Sequence, residues 1–369
     1  MLIKFSLVFI SLFSNAKVLA VFRIADLTLF LFALLTCRLK VDLRLVFVCL
    51  VFFVFAFLSS LNGAFNYVDL FKAHDFVFYY KYFFFMLCSL ILVSVVRNRY
   101  NLLRLRRHFI FGTLFLSLYL SSFVFISVLS NLGLAVMGAT RVSIPFSDVS
   151  GGVSNAPAFS VVLASFFIAV YSLDVAFRFK IIFLGLLFAS IFLCGSRSGV
   201  VLLFVWLLAR SFYDFKVLFV LMLFIFVSSF LLSIFNDQLI SGLVSRALDF
   251  DLANDASAGG RLFKQSEAFF TIFDQFFLLG VGHENTSITW YDGLFGNLFI
   301  FSGLLGSLCF LMFIVLVWFR LRAFGSGSFF SLIVSLSFLS EFVLTSYVVM
   351  TLMYLSMLEV SNSLKVFRV

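Results

Sequence analysis

The fold class of this chain is indicated by residues 181–212, which read IIFLGLLFASIFLCGSRSGVVLLFVWLLARSF. It contains two apolar runs separated by Gly195-Ser-Arg-Ser-Gly199. A helix needs about 20 apolar residues to cross the hydrocarbon core of a bilayer, and a guanidinium group in the middle of a membrane is costly. We therefore predict two rather short membrane-spanning helices joined by a tight turn, with Arg197 facing a polar cavity.

The composition of the whole chain is that of an integral membrane protein. Of its 369 residues, 63% are hydrophobic and 12% are charged, whereas soluble domains average about 45–50% apolar and about 25% charged residues. A single soluble core cannot bury so much apolar surface. The composition excludes a soluble enzyme, a secreted disulfide scaffold and a disordered protein. The five cysteines lie in apolar runs without metal-ligand spacing, which indicates small buried hydrophobic residues.

Apolar runs predict further spans along the chain. Residues 3–38 best fit a helical hairpin, and residues 328–361 form either one long helix or a hairpin that turns near Ser346. We predict an all-α polytopic membrane protein in which residues 1–369 form one membrane domain with about twelve transmembrane helices, ten or eleven being the alternatives. The other clear candidate spans are 45–61, 76–96, 109–137, 158–177, 217–235 and 293–318.

Lysine and arginine residues set the predicted orientation, because cytoplasmic loops are enriched in them. Most of the 26 basic residues fall in alternate loops, so we predict that these loops and both termini are cytoplasmic. The net charge of +9 mostly reflects this topology. No aromatic-basic binding surface accompanies the basic cluster Arg97–Arg107, so nucleic acid is not a predicted partner.

Two loops on the opposite side, 138–157 and 236–292, are long enough to fold, and loops of this length are usually functional. In the first loop, Pro157 is predicted to lie in the first turn of the next helix. In the second loop, the pattern predicts an amphipathic helix from about Gly260 to Leu279 that ends at Gly280 and Gly282. We expect chemistry or binding on this outer face.

Four arginines are predicted on the outer side, and arginine binds phosphate oxygens with a bidentate fork. Such a set suits a pyrophosphate-linked lipid, although surface arginines paired with the carboxylates of the loops are an equal alternative. His283, with Glu284 or Asp292, is a candidate general base, but a lone histidine is more often structural. No metal or nucleotide-cofactor motif is present in the sequence. The four arginines are Arg141, Arg197, Arg246 and Arg261.

Five short motifs in their order and spacing resemble the superfamily of bacterial O-antigen polymerases and O-antigen ligases (Wzy/WaaL). The resemblance covers roughly residues 140–310, and each motif is weak alone. The motifs are Asn155-Ala-Pro157, Cys194-Gly-Ser-Arg-Ser-Gly199, Arg261 in the large loop, Leu279-Gly-Val-Gly282 and Gly303-Leu-Leu-Gly306.

The resemblance implies a glycosyltransferase on the periplasmic side of the bacterial inner membrane. Such enzymes use glycans carried on undecaprenyl pyrophosphate, need no nucleotide sugar, and are expected to work beside a chain-length regulator. It implies that Arg197 and Arg261 handle the pyrophosphate and glycan, and we expect both to stabilise the departing pyrophosphate. His283 is expected from its own chemistry, not from the resemblance, to take the acceptor proton. The expected substrate-binding residues are Arg141, Arg246, Glu284 and Asp292.

One departure from the superfamily favours a polymerase. The ligases place a His-Asn pair just before the span that follows the large loop, where this chain has Tyr291-Asp-Gly-Leu294. A ligase that passes the glycan to lipid A-core is the closest alternative. A flippase or other transporter of lipid-linked oligosaccharides is a distant one, since such proteins often carry paired repeats and intramembrane charge. We see no convincing repeat, and Glu341 is the one clear intramembrane acid of the late spans.

Overall fold

All regular secondary structure in the described part of the chain is α-helical. The structure is a computed structural model. It describes residues 42–67, 73–97, 99–130, 142, 156–212, 270, 278–280, 282, 294–324, 327–337 and 346–363. The helices in these ranges are α1 (Leu43–Tyr67), α2 (Ala73–Arg97), α3 (Arg99–Ser130), α4 (Ala156–Ser172), α5 (Phe177–Leu193), α6 (Arg197–Ser211), α7 (Leu294–Ala323), α8 (Ser328–Ser337) and α9 (Ser346–Ser363).

Four of these helices are long and apolar enough to cross a membrane: α1, α2, α3 and α7. Their candidate spans are Leu43–Gly63, Tyr79–Arg97, Arg106–Ser130 and Gly296–Ala323. Two shorter apolar helices, Ala156–Ser172 and Val348–Asn362, accompany them. Many large apolar side chains on the outer faces of these helices are exposed, as is expected of surfaces that contact lipid tails. The chain is therefore an all-helical membrane protein in its described part.

An aromatic cluster joins α1, α2 and α7 in the interior. Tyr82 stacks on Phe301 with ring centroids 5.3 Å apart, and its ring meets that of Phe310 edge-on at 5.4 Å. Phe52 of α1 contacts both Tyr82 and Phe310 at 5.5 Å. All four side chains are fully buried, and such aromatic pairs add about 0.5–1.5 kcal/mol each beyond the burial of their area. This cluster fixes α7 against the α1–α2 pair.

Charged and polar contacts join several helix termini at one end of the bundle, which we term the basic end. Arg320 Nη2 near the end of α7 lies 2.6 Å from Asp42 Oδ2, just before α1. In α3, Arg106 Nη2 lies 4.0 Å from Oδ2 of Asp174, which follows α4. Arg106 Nε donates to Asn362 Oδ1 of α9 at 3.3 Å. The described basic residues of helix termini at this end also include Arg44, Arg97, Arg107, Arg178, Lys180, Arg210 and Arg322.

Most lysines and arginines of the described helix termini therefore lie at the basic end, together with Asp42, Asp174 and Glu359, whereas Arg197 lies at the opposite end of α6. The orientation of this end toward the cytoplasm, which the sequence predicts from lysine and arginine, stays a prediction.

Several predicted spans can be compared with these helices. The break within 181–212 is confirmed, since α5 and α6 flank a turn at Cys194–Ser196. For 328–361, the hairpin alternative is supported, because Glu359 near the end of α9 accepts hydrogen bonds from Ser328 Oγ and the Gly327 N–H at the start of α8. The predicted spans within 3–38 and 217–235 lie outside the described residues, so the count of twelve stays a prediction.

Candidate functional site

The turn that carries Arg197 has a backbone set by its short residues. Cys194 ends α5 in a helical conformation, Gly195 has a φ of 68°, and Ser196 is extended. A φ of this sign is strained for residues with a Cβ, so glycine suits the position. The extended Ser196 then starts α6 at Arg197, whose side chain is half-buried. The predicted tight turn is confirmed, and the polar cavity for Arg197 stays a prediction.

The start of α6 is capped by a side chain of the neighbouring helix α4. Ser196 occupies the N-cap position but makes no side-chain capping bond. Instead the N–H of Gly199 donates to Ser160 Oγ at 3.0 Å, and that hydroxyl donates to the carbonyl of Pro157 at 2.9 Å. A hydroxyl that accepts from the third N–H of a helix does the work of an N-cap. Helix α6 is therefore anchored to α4 at its first turn.

Gly199 is required by the closeness of these two helices. A Cβ at this position would lie 2.4 Å from the carbonyl oxygen of Ser160 and 2.7 Å from its carbonyl carbon. Both atoms belong to the backbone and cannot swing aside. Glycine thus allows α6 to approach α4 closely enough for the capping bond to form.

The same turn also binds the chain at Val142, the residue that follows Arg141. The N–H of Val142 donates to the carbonyl of Cys194 at 3.3 Å, and Cys194 Sγ lies 3.3 Å from the carbonyl oxygen of Val142. The thiol also lies 3.8 Å from the carbonyl of Ala156. We term this assembly the SR junction: Val142, Ala156–Ser160 and Cys194–Gly199. Pro157 lies in the first turn of α4, as the sequence predicts.

A second assembly of glycines interrupts α7. Gly303 has a φ of 63° and a ψ of −170°, which breaks the helix nine residues after its start at Leu294. The turn at Leu278–Gly280 lies in this break. A Cβ on Gly303 would lie 2.4 Å from the carbonyl carbon of Leu279, and a Cβ on Gly280 would lie 2.6 Å from the Gly303 nitrogen. Each glycine therefore makes room for the backbone of the other.

Polar side chains of α1 hold the chain in this break. The N–H of Gly282 approaches both Ser59 Oγ at 3.1 Å and the carbonyl of Ile300 at 3.2 Å. Asn62 Nδ2 donates to the carbonyl of Gly280 at 2.9 Å. We term this assembly the glycine junction: Ser59, Asn62, Leu278–Gly280, Gly282 and Ile300–Leu305. Backbone groups freed by the break are thereby paired within protein, as a membrane environment requires.

Both junctions lie away from the basic end. The SR junction is at the starts of α4 and α6, and the glycine junction joins the second half of α1 to the first half of α7.

Along α6, Arg197 and Arg210 stand at opposite termini, about 20 Å apart at 1.5 Å per residue. Arg197 lies at the positive end of the helix dipole, where a cation is unfavourable and an anion is favourable. The dipole of α6 would thus stabilise an anionic ligand at its first turn.

Most of the predicted site residues lie outside the described part of the chain. Arg197 is described, and Val142 gives the position of the chain next to Arg141. The large loop 236–292 is described only at Phe270, 278–280 and 282, so the amphipathic helix stays a prediction. The remaining predicted residues outside the described ranges are Arg141, Arg246, Arg261, His283, Glu284 and Asp292.

Sequence reasoning missed three residues that build the junctions: Ser59, Asn62 and Ser160. Each is a polar residue within an otherwise apolar span, which is the signal by which they could have been noticed. The partners that they hold across each junction, however, lie between 39 and 223 positions away in the chain: Gly199, Gly280 and Gly282. Comparison of the chain with protein-family models, with curated proteins and with solved structures gave no match.

Proposed function

We propose that this protein polymerises oligosaccharide repeat units linked to undecaprenyl pyrophosphate, on the periplasmic face of the bacterial inner membrane. One observation supports this proposal above all others. Four of the five motifs behind the resemblance to O-antigen polymerases are described at least in part, and these four contact each other in pairs although they are distant in the sequence. Ala156 and Pro157 begin the helix that meets Cys194–Gly199, and Leu279, Gly280 and Gly282 lie at the break at Gly303. Motifs that build one scaffold are expected to occur together.

The chemistry proposed for this scaffold needs little beyond positioning and charge. A growing chain leaves its lipid pyrophosphate and joins a hydroxyl of a new lipid-linked unit: a glycosyl–oxygen bond to the pyrophosphate breaks and one to the acceptor forms. Pyrophosphate is already a good leaving group, and well-oriented reactants gain about 7–11 kcal/mol. No nucleotide sugar or metal takes part in this scheme.

Arg197 would stabilise the departing pyrophosphate together with the first turn of α6. A half-buried guanidinium at a helix N-terminus offers bidentate donors and a favourable dipole to the leaving oxygens. Arg141 immediately precedes Val142 in the chain, and Val142 is bound to the same turn. Arg141 is therefore the proposed second phosphate ligand of the SR junction.

The roles of Arg261 and Arg246 follow from the resemblance, and that of His283 is proposed from its side-chain chemistry. Arg261 would share the leaving charge, and Arg246 would guide glycan or phosphate. His283, with Glu284 or Asp292 beside it, would take the proton of the acceptor hydroxyl. A chain-length regulator is the proposed protein partner, and the termini are proposed to lie in the cytoplasm.

A transporter of lipid-linked oligosaccharides is the second candidate, because one observation favours it. Transporters often contain discontinuous helices near their substrate sites, and α7 is broken at Gly303. Here, however, the break is filled by the protein itself: Leu305 N–H donates to the carbonyl of Leu278 at 3.3 Å. A filled break builds a scaffold rather than lining an ion or substrate pathway.

Deletion of the gene in its native host separates the candidate functions. Loss of a polymerase leaves the lipopolysaccharide core capped by a single repeat unit, which migrates as one short band on a gel. Loss of a ligase or a flippase leaves bare core, and that result would contradict the proposal.

Complementation of the deletion strain then tests Arg197. Arg197→Ala is expected to leave only the single-repeat band, and Arg197→Lys to restore chains partly, since lysine keeps the charge without the bidentate fork. Arg210→Ala is the matched control, because Arg210 is the exposed arginine at the other end of α6. Full-length chains from an Arg197→Ala strain with normal expression would remove Arg197 from the site.

A further inference from the structure

A groove opens between α1 and α7 at the basic end. Its volume is about 280 Å³, and its lining combines charged and apolar side chains. It lies where the candidate span Leu43–Gly63 begins and the candidate span Gly296–Ala323 ends, and the ends of membrane spans are where lipid headgroups are expected. The lining residues are Asp42, Arg44, Leu45, Leu316, Phe319, Arg320 and Ala323.

The charge of the groove is positive, with two guanidinium groups against one carboxylate. Asp42 is largely occupied within the protein: Oδ2 pairs with Arg320 Nη2 at 2.6 Å, and Oδ1 accepts the N–H of Arg44 at 3.1 Å, which caps α1. This pairing holds the Arg320 side chain at the groove while using only part of its five donors. The Arg44 guanidinium adds a second set of donors to the lining.

The apolar surface that continues from the groove runs along the membrane. Phe319 lines the groove and is 55% exposed, and α7 carries further exposed residues four to eleven positions earlier on the same face: Leu308, Met312 and Val315. Helix α1 carries its own exposed apolar row, at Phe47, Leu50 and Val54. A ligand whose polar group enters the groove would therefore lay apolar chains along these rows.

We propose that this groove binds the headgroup of an anionic phospholipid of the leaflet at the basic end, with its acyl chains lying along α7 and α1. Basic pockets between transmembrane helices on the cytoplasmic side bind such headgroups through their phosphate. The phosphodiester contacts Arg44 and Arg320, and the lipid bridges the start of α1 to the end of α7. The groove is separate from the SR junction and does not depend on the proposed catalytic activity.

The test is a lipid titration of the purified full-length protein in detergent, followed by native mass spectrometry. Palmitoyl-oleoyl phosphatidylglycerol is compared with phosphatidylcholine of the same chains. The wild-type protein is expected to retain phosphatidylglycerol at about tenfold lower concentration than phosphatidylcholine. The double variant Arg44→Gln/Arg320→Gln is expected to lose this preference.

The matched charge control is Arg107→Gln/Arg210→Gln, which removes two exposed arginines of the same end outside the groove. It is expected to keep the preference for phosphatidylglycerol. An equal loss in the control would show general surface attraction and would overturn the proposal, as would equal retention of the two lipids by the wild-type protein. Competition by glycerol 3-phosphate at the concentrations at which the lipid binds would also overturn it, because the acyl chains would then contribute nothing.

A steric variant keeps the charges and tests the groove itself. Leu316→Trp fills the lining and is expected to weaken phosphatidylglycerol retention, whereas Leu118→Trp on the exposed face of α3, away from the groove and its apolar rows, is expected to change it little. Unchanged binding in a folded Leu316→Trp protein would place the lipid elsewhere. Thermal unfolding of each variant in the absence of added lipid confirms that it is folded.

Discussion

Replacing Gly199 with alanine tests the contact between α4 and α6 on which the SR junction depends. The new Cβ would lie 2.4 Å from the carbonyl oxygen of Ser160, and overpacking of this kind costs about 1–3 kcal/mol. Displacement of the helix also weakens the bond from the Gly199 N–H to Ser160 Oγ, for which about 0.6 kcal/mol is typical inside a membrane. Alanine regains about 0.5–1 kcal/mol of helix preference. The expected net loss of stability is about 1–3 kcal/mol.

Gly185→Ala is the matched control for this prediction. Gly185 lies in α5, and a Cβ there meets nothing within 4 Å. Only the helix preference remains, so this variant is expected to be more stable than the wild type by about 0.5–1 kcal/mol. The measurement is an equilibrium unfolding titration with SDS in detergent micelles. If Gly199→Ala were as stable as Gly185→Ala, the close approach of α4 and α6 would be refuted.

Three further predictions use the same titration. Ser160→Ala removes the cap of α6 and is expected to lower the free energy of unfolding by about 0.5–2 kcal/mol. Its control, Ser165→Ala, loses only a bond within α4 and should be nearly neutral, so equal effects of the two variants would argue against the cap. Gly303→Ala places a Cβ on a residue with positive φ and against the backbone of the Leu278–Gly280 turn, so it should lower the free energy of unfolding by more than about 1–2 kcal/mol. A smaller loss of stability would contradict the glycine junction. Arg320→Gln breaks the pair with Asp42 but should cost below about 1 kcal/mol, because Arg320 is 47% exposed; a larger loss would show that the pair is buried.

The features predicted from the sequence are those that local chemistry decides. Gly195 and Gly199 around a charged residue predict a turn, because neither a helix interior nor a membrane interior accommodates that combination at low cost. Pro157 predicts the first turn of α4, because its fixed φ suits that place and its missing N–H is not needed there. The segregation of lysine and arginine predicts which helix ends lie together. The first two features depend on residues that are neighbours in the chain, and the third depends on the alternation of basic and apolar segments along it.

The boundaries of spans were predicted less well where charged residues continue a helix. The span predicted at 109–137 belongs to α3, which already begins at Arg99. Its first turns carry arginines and lie at the basic end, so they extend beyond the candidate span Arg106–Ser130. An apolar run predicts the part of a helix that lies in the hydrocarbon core. The length of a helix that continues into the headgroup region is therefore underestimated.

The break in α7 could not be predicted from its own sequence. Gly303-Leu-Leu-Gly306 lies in an apolar run that is compatible with an unbroken span, and glycine is tolerated in such helices. The break is decided by the turn at Leu278–Gly280 and by Ser59 of α1, which are distant in the chain. The same holds for the capping of α6 by Ser160. For the candidate site, the sequence predicted the turn of Arg197, while its anchoring to α4 and Val142 required the structure.

We propose that this chain elongates lipid-linked glycans, and reconstitution tests this claim. Purified protein in liposomes is supplied with undecaprenyl-pyrophosphate-linked repeat units, extracted from the deletion strain in which a polymerase defect makes them accumulate. The products are separated by length, with no nucleotide sugar present. The wild-type protein and Arg210→Ala are expected to form a ladder of longer lipid-linked chains, and Arg197→Ala is expected to form none. Recovery of only single units from folded wild-type protein would contradict the claim.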